Sequence, residues 1–225
     1  MTGLNVHQHP SPNFGPRRDG LRPELIVIHY TAMQSAEAAL AHLCNPQAEV
    51  SAHYLIARSG KVIQLVDEAH RAWHAGAGEW QGRDDVNSRS IGIELDNTGS
   101  HPFPEPQISA LEKLMRGIMT RWGIPPEGVI GHSDMAPGRK IDPGPHFDWA
   151  RLARQGLAAR PGPETLPGSV TADEFRNRAI AAGFTAPCDD ATLLQTVRLR
   201  HRPWAKGPLE REDFAPFSGQ TSTFS

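Results

Sequence analysis

The chain has little cysteine, no basic surplus and no long apolar run, and each shortage removes a class of function. Its two cysteines among 225 residues, Cys44 and Cys188, are far apart and lack the paired spacing of a zinc knuckle, so they read as reduced thiols. A formal net charge of -2 falls short of the basic excess that nucleic-acid surfaces need, and nucleic acid is not an expected partner. No stretch is long enough to span a bilayer, so no transmembrane segment is expected. Residues 1–20 are polar and rich in proline and glycine, with neither a basic-then-apolar signal pattern nor a lipid-attachment cysteine. The expected location is the cytoplasm, with the periplasm, reached by another route, as the alternative. A monomer is expected.

What is present is an ordinary globular composition, 38% hydrophobic, long enough for one full core and a small second unit. Leu25 to His29 reads as a buried strand, and Ser35 to Cys44 as a helix that ends before Asn45-Pro46, because proline disfavours helix in the residue ahead of it. Ala52 to Ala57 and Val62 to Val66, joined by Ser59-Gly60, read as a hairpin. Ile91 to Leu95 is a further strand. From Gln107 to Trp122, Ile108, Leu111, Met115, Ile118, Met119 and Trp122 recur at helical spacing, the clearest helix of the chain. A short strand at Val129-Ile130 leads to His132, and Trp149 to Leu157 closes the unit as a helix. Strands interleaved with helices give an α/β layered domain.

The expected organisation is an extension at 1–22, a catalytic domain at 23–159, a proline- and glycine-rich linker at 160–169, a small helical module at 170–217 and a disordered tail at 218–225. Within the module Thr171 and Glu174 are spaced as a capping box. Every candidate for chemistry precedes Leu157, so the module is expected to be dispensable for reaction on small substrates.

Three residues carry most of the chemistry. His29 ends the apolar run Leu25-Ile26-Val27-Ile28, His132 follows Gly128-Val129-Ile130-Gly131, and Asp142 lies in Arg139-Lys140-Ile141-Asp142-Pro143-Gly144-Pro145. Two imidazoles and a carboxylate are a standard zinc set that leaves a fourth position open, which implies a catalytic rather than structural site. The weight rests on the set, since any lone histidine among eleven has an ordinary reading as a satisfied polar side chain. Glu94, a carboxylate in an apolar strand, is either a strand-end residue turned to solvent or the proton-transfer group that a zinc hydrolase needs; the cost of burying an unpaired carboxylate favours the second. Lys140, two residues before Asp142, points to the same side in extended backbone and would set an ammonium where an oxyanion develops; the other reading is a solvated basic pair with Arg139. Trp73, His74, Arg83 and Asn87 have two readings, a groove for a sugar or charged peptide and a loop anchored by Trp73. His42, His70 and His101 read as surface or helix residues. A rival iron site from His132, Asp134 and His201 would leave His29, Glu94 and Lys140 without roles.

The segments Ile28-His29-Tyr30-Thr31-Ala32, Val50-Ser51-Ala52-His53-Tyr54-Leu55-Ile56, Ala72-Trp73-His74-Ala75-Gly76, Ser90-Ile91-Gly92-Ile93-Glu94, Gly131-His132-Ser133-Asp134 and Lys140-Ile141-Asp142-Pro143-Gly144-Pro145 occur in one order. In that order the chain resembles the zinc-dependent N-acetylmuramoyl-L-alanine amidases of the phage-lysozyme and peptidoglycan-recognition-protein type. The resemblance implies a central mixed β-sheet flanked by helices and one Zn2+ on His29, His132 and Asp142. It also implies catalytic roles for Glu94 and Lys140, and peptidoglycan or a muropeptide as substrate. Tyr30 and His53 then join Trp73, His74, Arg83 and Asn87 as expected substrate-binding residues. The alternative is a recognition module that binds without cutting. The C-terminal segment is similar to small helical peptidoglycan-binding repeats through Val197-Arg198-Leu199-Arg200-His201-Arg202-Pro203, and departs from them after Pro203.

Overall fold

The computed structural model describes residues 4–161 and 169–217. Most of the expected linker and the whole tail at 218–225 lie outside the described residues. A six-stranded sheet is built from β1 (Val6–Gln8), β3 (Leu25–Tyr30), β4 (Tyr54–Ile56), β5 (Val62–Gln64), β7 (Ser90–Leu95) and β8 (Val129–Gly131), in the order β1-β5-β4-β7-β3-β8. All neighbours are parallel except the β4–β5 hairpin, so the sheet is mixed. A two-stranded ribbon pairs β2 (Phe14–Gly15) with β6 (Arg71–Ala72). The helices are α1 (Ala36–Leu43), α2 (Val86–Arg89), α3 (Glu105–Trp122), α4 (His132–Met135), α5 (Trp149–Arg154), α6 (Ala172–Ala181) and α7 (Asp190–His201), followed by a 3-10 stretch at Arg211–Phe217. Among the described residues, no helix is long and apolar enough to cross a membrane.

The two-residue period of the strands sorts their side chains onto two faces. Ile26 and Ile28 of β3, with Ile91, Ile93 and Leu95 of β7, pack against Ile108, Leu111, Met115 and Ile118 of α3 and against Trp149 and Leu152 of α5. Removing each such side chain from water stabilises the fold by about 1.5–3 kcal/mol. Helix α3 starts with Pro106 in its first turn, where the missing N–H costs nothing, and stops at Gly123, whose φ of 69° lies in the left-handed region that favours a residue without a Cβ.

The opposite face receives Leu25 and Val27, then His29, from β3, and Ser90, Gly92 and Glu94 from β7. One end of this face is covered by α1, packed on Leu55, Ile63 and Leu65. The other end is covered by the C-terminal helices: Leu25, Val27 and Ile130 share one apolar cluster with Phe175, Ala179, Leu193, Val197, Phe214 and Phe217. The helical module therefore completes the core of the sheet's second face. Between the two covers the carboxyl ends of β3 and β7 stay open, and the site lies there.

The residues expected as an extension contribute the edge strand β1. They also supply Asn13, whose side-chain amide donates to Asn45 O and Val50 O at 2.8 Å each, and Arg17, which donates to Ser88 O at 2.8 Å. A three-residue strand with exposed His7 and Gln8 carries too short an alternation to be seen in sequence.

Candidate metal centre and catalytic cavity

His29 and Glu94 sit side by side because β3 and β7 are parallel in a register that pairs those two positions. His132 opens α4 directly after β8, the other neighbour of β3. Asp142 reaches the same point from the following loop, which is tied to α4 by Ser133 N donating to Asp142 O at 2.9 Å. The result is a triangle: Nδ1 of His29, Nδ1 of His132 and Oδ2 of Asp142 are each 3.0 Å from the other two.

Both imidazoles are oriented by their second nitrogens. Ser90 Oγ donates to Val86 O at 2.6 Å, so it accepts from Nε2–H of His74 at 3.1 Å. Nδ1 of His74 is then a lone pair, which accepts from Nε2–H of His29 at 3.0 Å. Nδ1 of His29 is left unprotonated and free to ligate. His132 reaches the same state by donating Nε2–H to Ala75 O at 2.9 Å. One loop, Trp73 to Ala75, thus sets both tautomers, one through a side chain and the other through a carbonyl. Asn87 holds that loop, its Oδ1 accepting from the backbone N–H groups of His74 and Ala75 at 3.0 and 2.9 Å. Gly92 makes the arrangement possible, since a Cβ there would stand 2.4 Å from the ring of His74.

Burial, reinforced by the neighbouring His132, lowers the pKa of His29 to about 4, which keeps it neutral. Burial acts against the charge of Asp142, but in the metal-free chain a proton on Nδ1 of His132 or His29 would be shared with its carboxylate, and this outweighs burial and holds that carboxyl below the usual range. Burial, with the nearby Asp142 charge, raises Glu94 to about 8. Glu94 Oε2 is buried without a hydrogen-bond partner, an orphan that costs free energy unless something outside the chain satisfies it. Two neutral imidazoles, an ionised carboxylate and an orphaned carboxyl fit a three-ligand zinc site with a polar guest beside it.

A cavity of about 510 Å3 opens over the triangle, lined by His29, His132 and Asp142 together with Glu94, Lys140, Tyr30, Trp73 and His74. The structure therefore brings most of the expected site residues to one place and leaves three elsewhere. His53 is fully buried below it: Gly92 N donates to its Nδ1 at 2.9 Å, and its Nε2–H faces His70 O at 3.1 Å, so it braces β7 instead of touching a substrate. Arg83 is exposed on the far side, paired with Glu24 at 2.7 Å. Asn87 acts on the loop, as described. Asp134, the carboxylate of the rival iron site, is bound to Arg200 at 2.6 Å and does not face the triangle.

Sequence reasoning missed Thr31, Met33, His42 and Arg139 as lining residues. His42 gave no signal of its own, because only the placement of α1 beside the sheet brings it to the rim. Arg139 holds the Trp73 loop by donating to Ala75 O at 2.8 Å and also to Ala77 O.

Residues 19–145 match the N-acetylmuramoyl-L-alanine amidase family model. The sequence is 44% identical over 194 residues to the N-acetylmuramoyl-L-alanine amidase AmiD of Escherichia coli strain K12, covering 78% of this chain and 65% of that protein. It is 38% identical over 166 residues to the 1,6-anhydro-N-acetylmuramyl-L-alanine amidase AmpD of the same organism, covering 66% of this chain and 91% of that protein. The structure of E. coli AmiD in complex with the substrate anhydro-N-acetylmuramic acid-L-Ala-D-gamma-Glu-L-Lys aligns with a TM-score of 0.78 at 30% identity, over 93% of this chain and 90% of that one. With the sheet, the ligand triangle and these likenesses in agreement, the chain belongs to the N-acetylmuramoyl-L-alanine amidase family.

Proposed function

We propose that this chain hydrolyses the amide joining the lactyl group of N-acetylmuramic acid to L-alanine in muropeptides, with one zinc ion held by His29, His132 and Asp142. The observation that carries the reading is the convergence of three ligand atoms at 3.0 Å beneath a cavity that also holds Glu94 and Lys140. A bound zinc ion would supply an acidified water and polarise the scissile carbonyl. Glu94, beside the triangle with a carboxylate oxygen that no other group of the chain satisfies, is placed to take a proton from the attacking water and return it to the leaving amine. Lys140 offers its ammonium to the oxyanion of the tetrahedral intermediate. Tyr30 and Trp73 give the cavity the flat apolar walls that position a sugar or peptide.

A soluble anhydro-muropeptide is the substrate we favour over polymeric wall, because one relative is named as a 1,6-anhydro-N-acetylmuramyl-L-alanine amidase and another is solved with an anhydro-N-acetylmuramic acid tripeptide. Parallel incubation with anhydro-muropeptides and with intact sacculi, read by mass spectrometry, tests both points. Free stem peptide released from the soluble substrate is expected, and release from sacculi alone would reverse the preference. Binding without release from either would mark a recognition module. A cytoplasmic location belongs to the same proposal and is supported by two unpaired thiols, Cys44 and Cys188; fractionation of cells carrying the native gene tests it.

A further inference from the structure

Arg200 lies on α7, in the C-terminal helical module, yet its guanidinium is buried against the segment that carries His132. It donates to Asp134 Oδ2 at 2.6 Å and to Val129 O at 3.0 Å, and it stacks 3.8 Å above the ring of Trp149. Arg200 is 8% exposed and Asp134 1%. The same Asp134 oxygen accepts from Gly131 N at 2.8 Å, which closes the turn that starts at His132. Gly131 packs closely against the other ligand segment: a Cβ there would stand 2.8 Å from Pro143, the residue after Asp142, and 3.3 Å from Trp149. Through Ser133 N and Asp142 O, at 2.9 Å, the clamp extends to the second ligand segment.

From this geometry we infer that Arg200 is a positioning residue for the metal centre, so that the C-terminal module is a brace of the ligand geometry in addition to any contact with substrate. The guanidinium fork is suited to the task. It satisfies a carboxylate and a carbonyl on one side while its flat face packs on an indole, a combination lysine cannot reproduce. Without it, Asp134 is a buried carboxylate with one backbone donor, and the turn carrying His132 loses its fixed end. The inference rests on the reading of His29, His132 and Asp142 as zinc ligands.

The test is the zinc dissociation constant of the full-length protein, measured by chelator competition, with a melting curve for every variant. Arg200→Gln is expected to weaken zinc binding by about tenfold or more, the usual effect of removing an outer support of a ligand. Arg200→Lys should fall between that variant and the wild type, and it serves as the reading if Arg200→Gln does not fold. Asp134→Asn should lose a similar factor, and the double variant no more than either single, because the two residues act as one unit. The control is Asp213→Asn, which breaks the buried Arg198–Asp213 pair at 2.6 Å inside the same module without touching Asp134. It should lower the melting temperature and leave zinc affinity unchanged. Wild-type zinc affinity in both Arg200 variants, or an equal loss in Asp213→Asn, overturns the inference. A wild-type protein that binds no zinc overturns the ligand reading itself.

Discussion

The two ligand histidines are held in different ways. His29 is the penultimate residue of a six-residue strand inside the sheet, a strand paired on one side with β7 and on the other with β8, and its register with Glu94 follows from backbone hydrogen bonding. Its orientation comes from an internal chain, Ser90 to His74 to His29, built on the same face of the sheet. His132 follows a three-residue edge strand and opens a four-residue helix, so its backbone is far less determined locally. Its orientation comes from Ala75 O, and the turn that carries it is closed by Asp134 and Arg200. The lesson is that a ligand in mid-sheet is fixed by register, whereas a ligand beyond a sheet edge depends on bracing from elsewhere in the chain.

The sharpest way to break that comparison is to remove the brace entirely. Ending the chain at Ala159 removes Phe175, Ala179, Leu193, Val197, Phe214 and Phe217 from a shared cluster. Leu25, Val27 and Ile130, which share that cluster, would then face water, and at about 1.5–3 kcal/mol for each large side chain the loss is comparable with the whole stability of a domain, roughly 5–15 kcal/mol. The truncated chain is expected to aggregate or to lose zinc binding, as read by size-exclusion chromatography and metal analysis. A soluble truncated chain with native zinc affinity would show that His132 needs no brace. This reverses the dispensability expected from composition alone.

Next in size is Glu94→Gln, which should keep zinc and lose kcat by at least about a hundredfold, the usual share of a general acid-base group. Near-normal turnover would remove Glu94 from the chemistry. The same variant has a stability signature in the metal-free protein. The carboxyl ionises near 4.5 when unfolded and, with burial raising it, at about 8 when folded, so between those values the folded state holds the extra proton and stability falls as pH rises. Relative to wild type, metal-free Glu94→Gln should therefore melt progressively higher from pH 4.5 to 8, as followed by circular dichroism. A difference in melting temperature independent of pH would mean that Glu94 is not held protonated.

A smaller effect isolates the other histidine. Ser90→Ala leaves Nε2–H of His74 without its acceptor and should weaken zinc binding by about tenfold. Combined with Arg200→Gln the losses should multiply, since the two supports share no partner. A combined loss no larger than either single would show one cooperative network where two supports are described. Smallest of all is Arg83→Ala, expected to leave KM for a soluble muropeptide within about twofold because its side chain is tied to Glu24 outside the cavity. Steady-state kinetics check this, and a large rise in KM would return Arg83 to the substrate site.

The strands at Leu25, Val62, Ile91 and Val129 were legible as short apolar runs, and the helix ending at Trp122 because its apolar residues repeat at helical spacing. The helix cap Thr171 was legible too, its side chain accepting from Glu174 N. The two ligand histidines could be read because each ends or follows an apolar run, and Asp142 because its Lys140-Ile141-Asp142-Pro143-Gly144-Pro145 segment carries part of the family resemblance. What escaped were contacts that need the chain folded back on itself. The strand at Val6–Gln8 is too short to show a pattern. His53 and Asn87 lie in site-like motifs, but they turn away from the cavity to hold Gly92 and the Trp73 loop. Arg200 sits in a segment that resembles a binding repeat, and nothing local announces that its partner lies sixty-six residues earlier.

The claim on which all of this depends is that His29, His132 and Asp142 hold one metal ion. Elemental analysis after exhaustive dialysis, on the wild type and on folded His132→Ala, tests it directly. One zinc per wild-type chain and almost none in the variant is the expected result. A folded His132→Ala protein that keeps a full equivalent of zinc would contradict it.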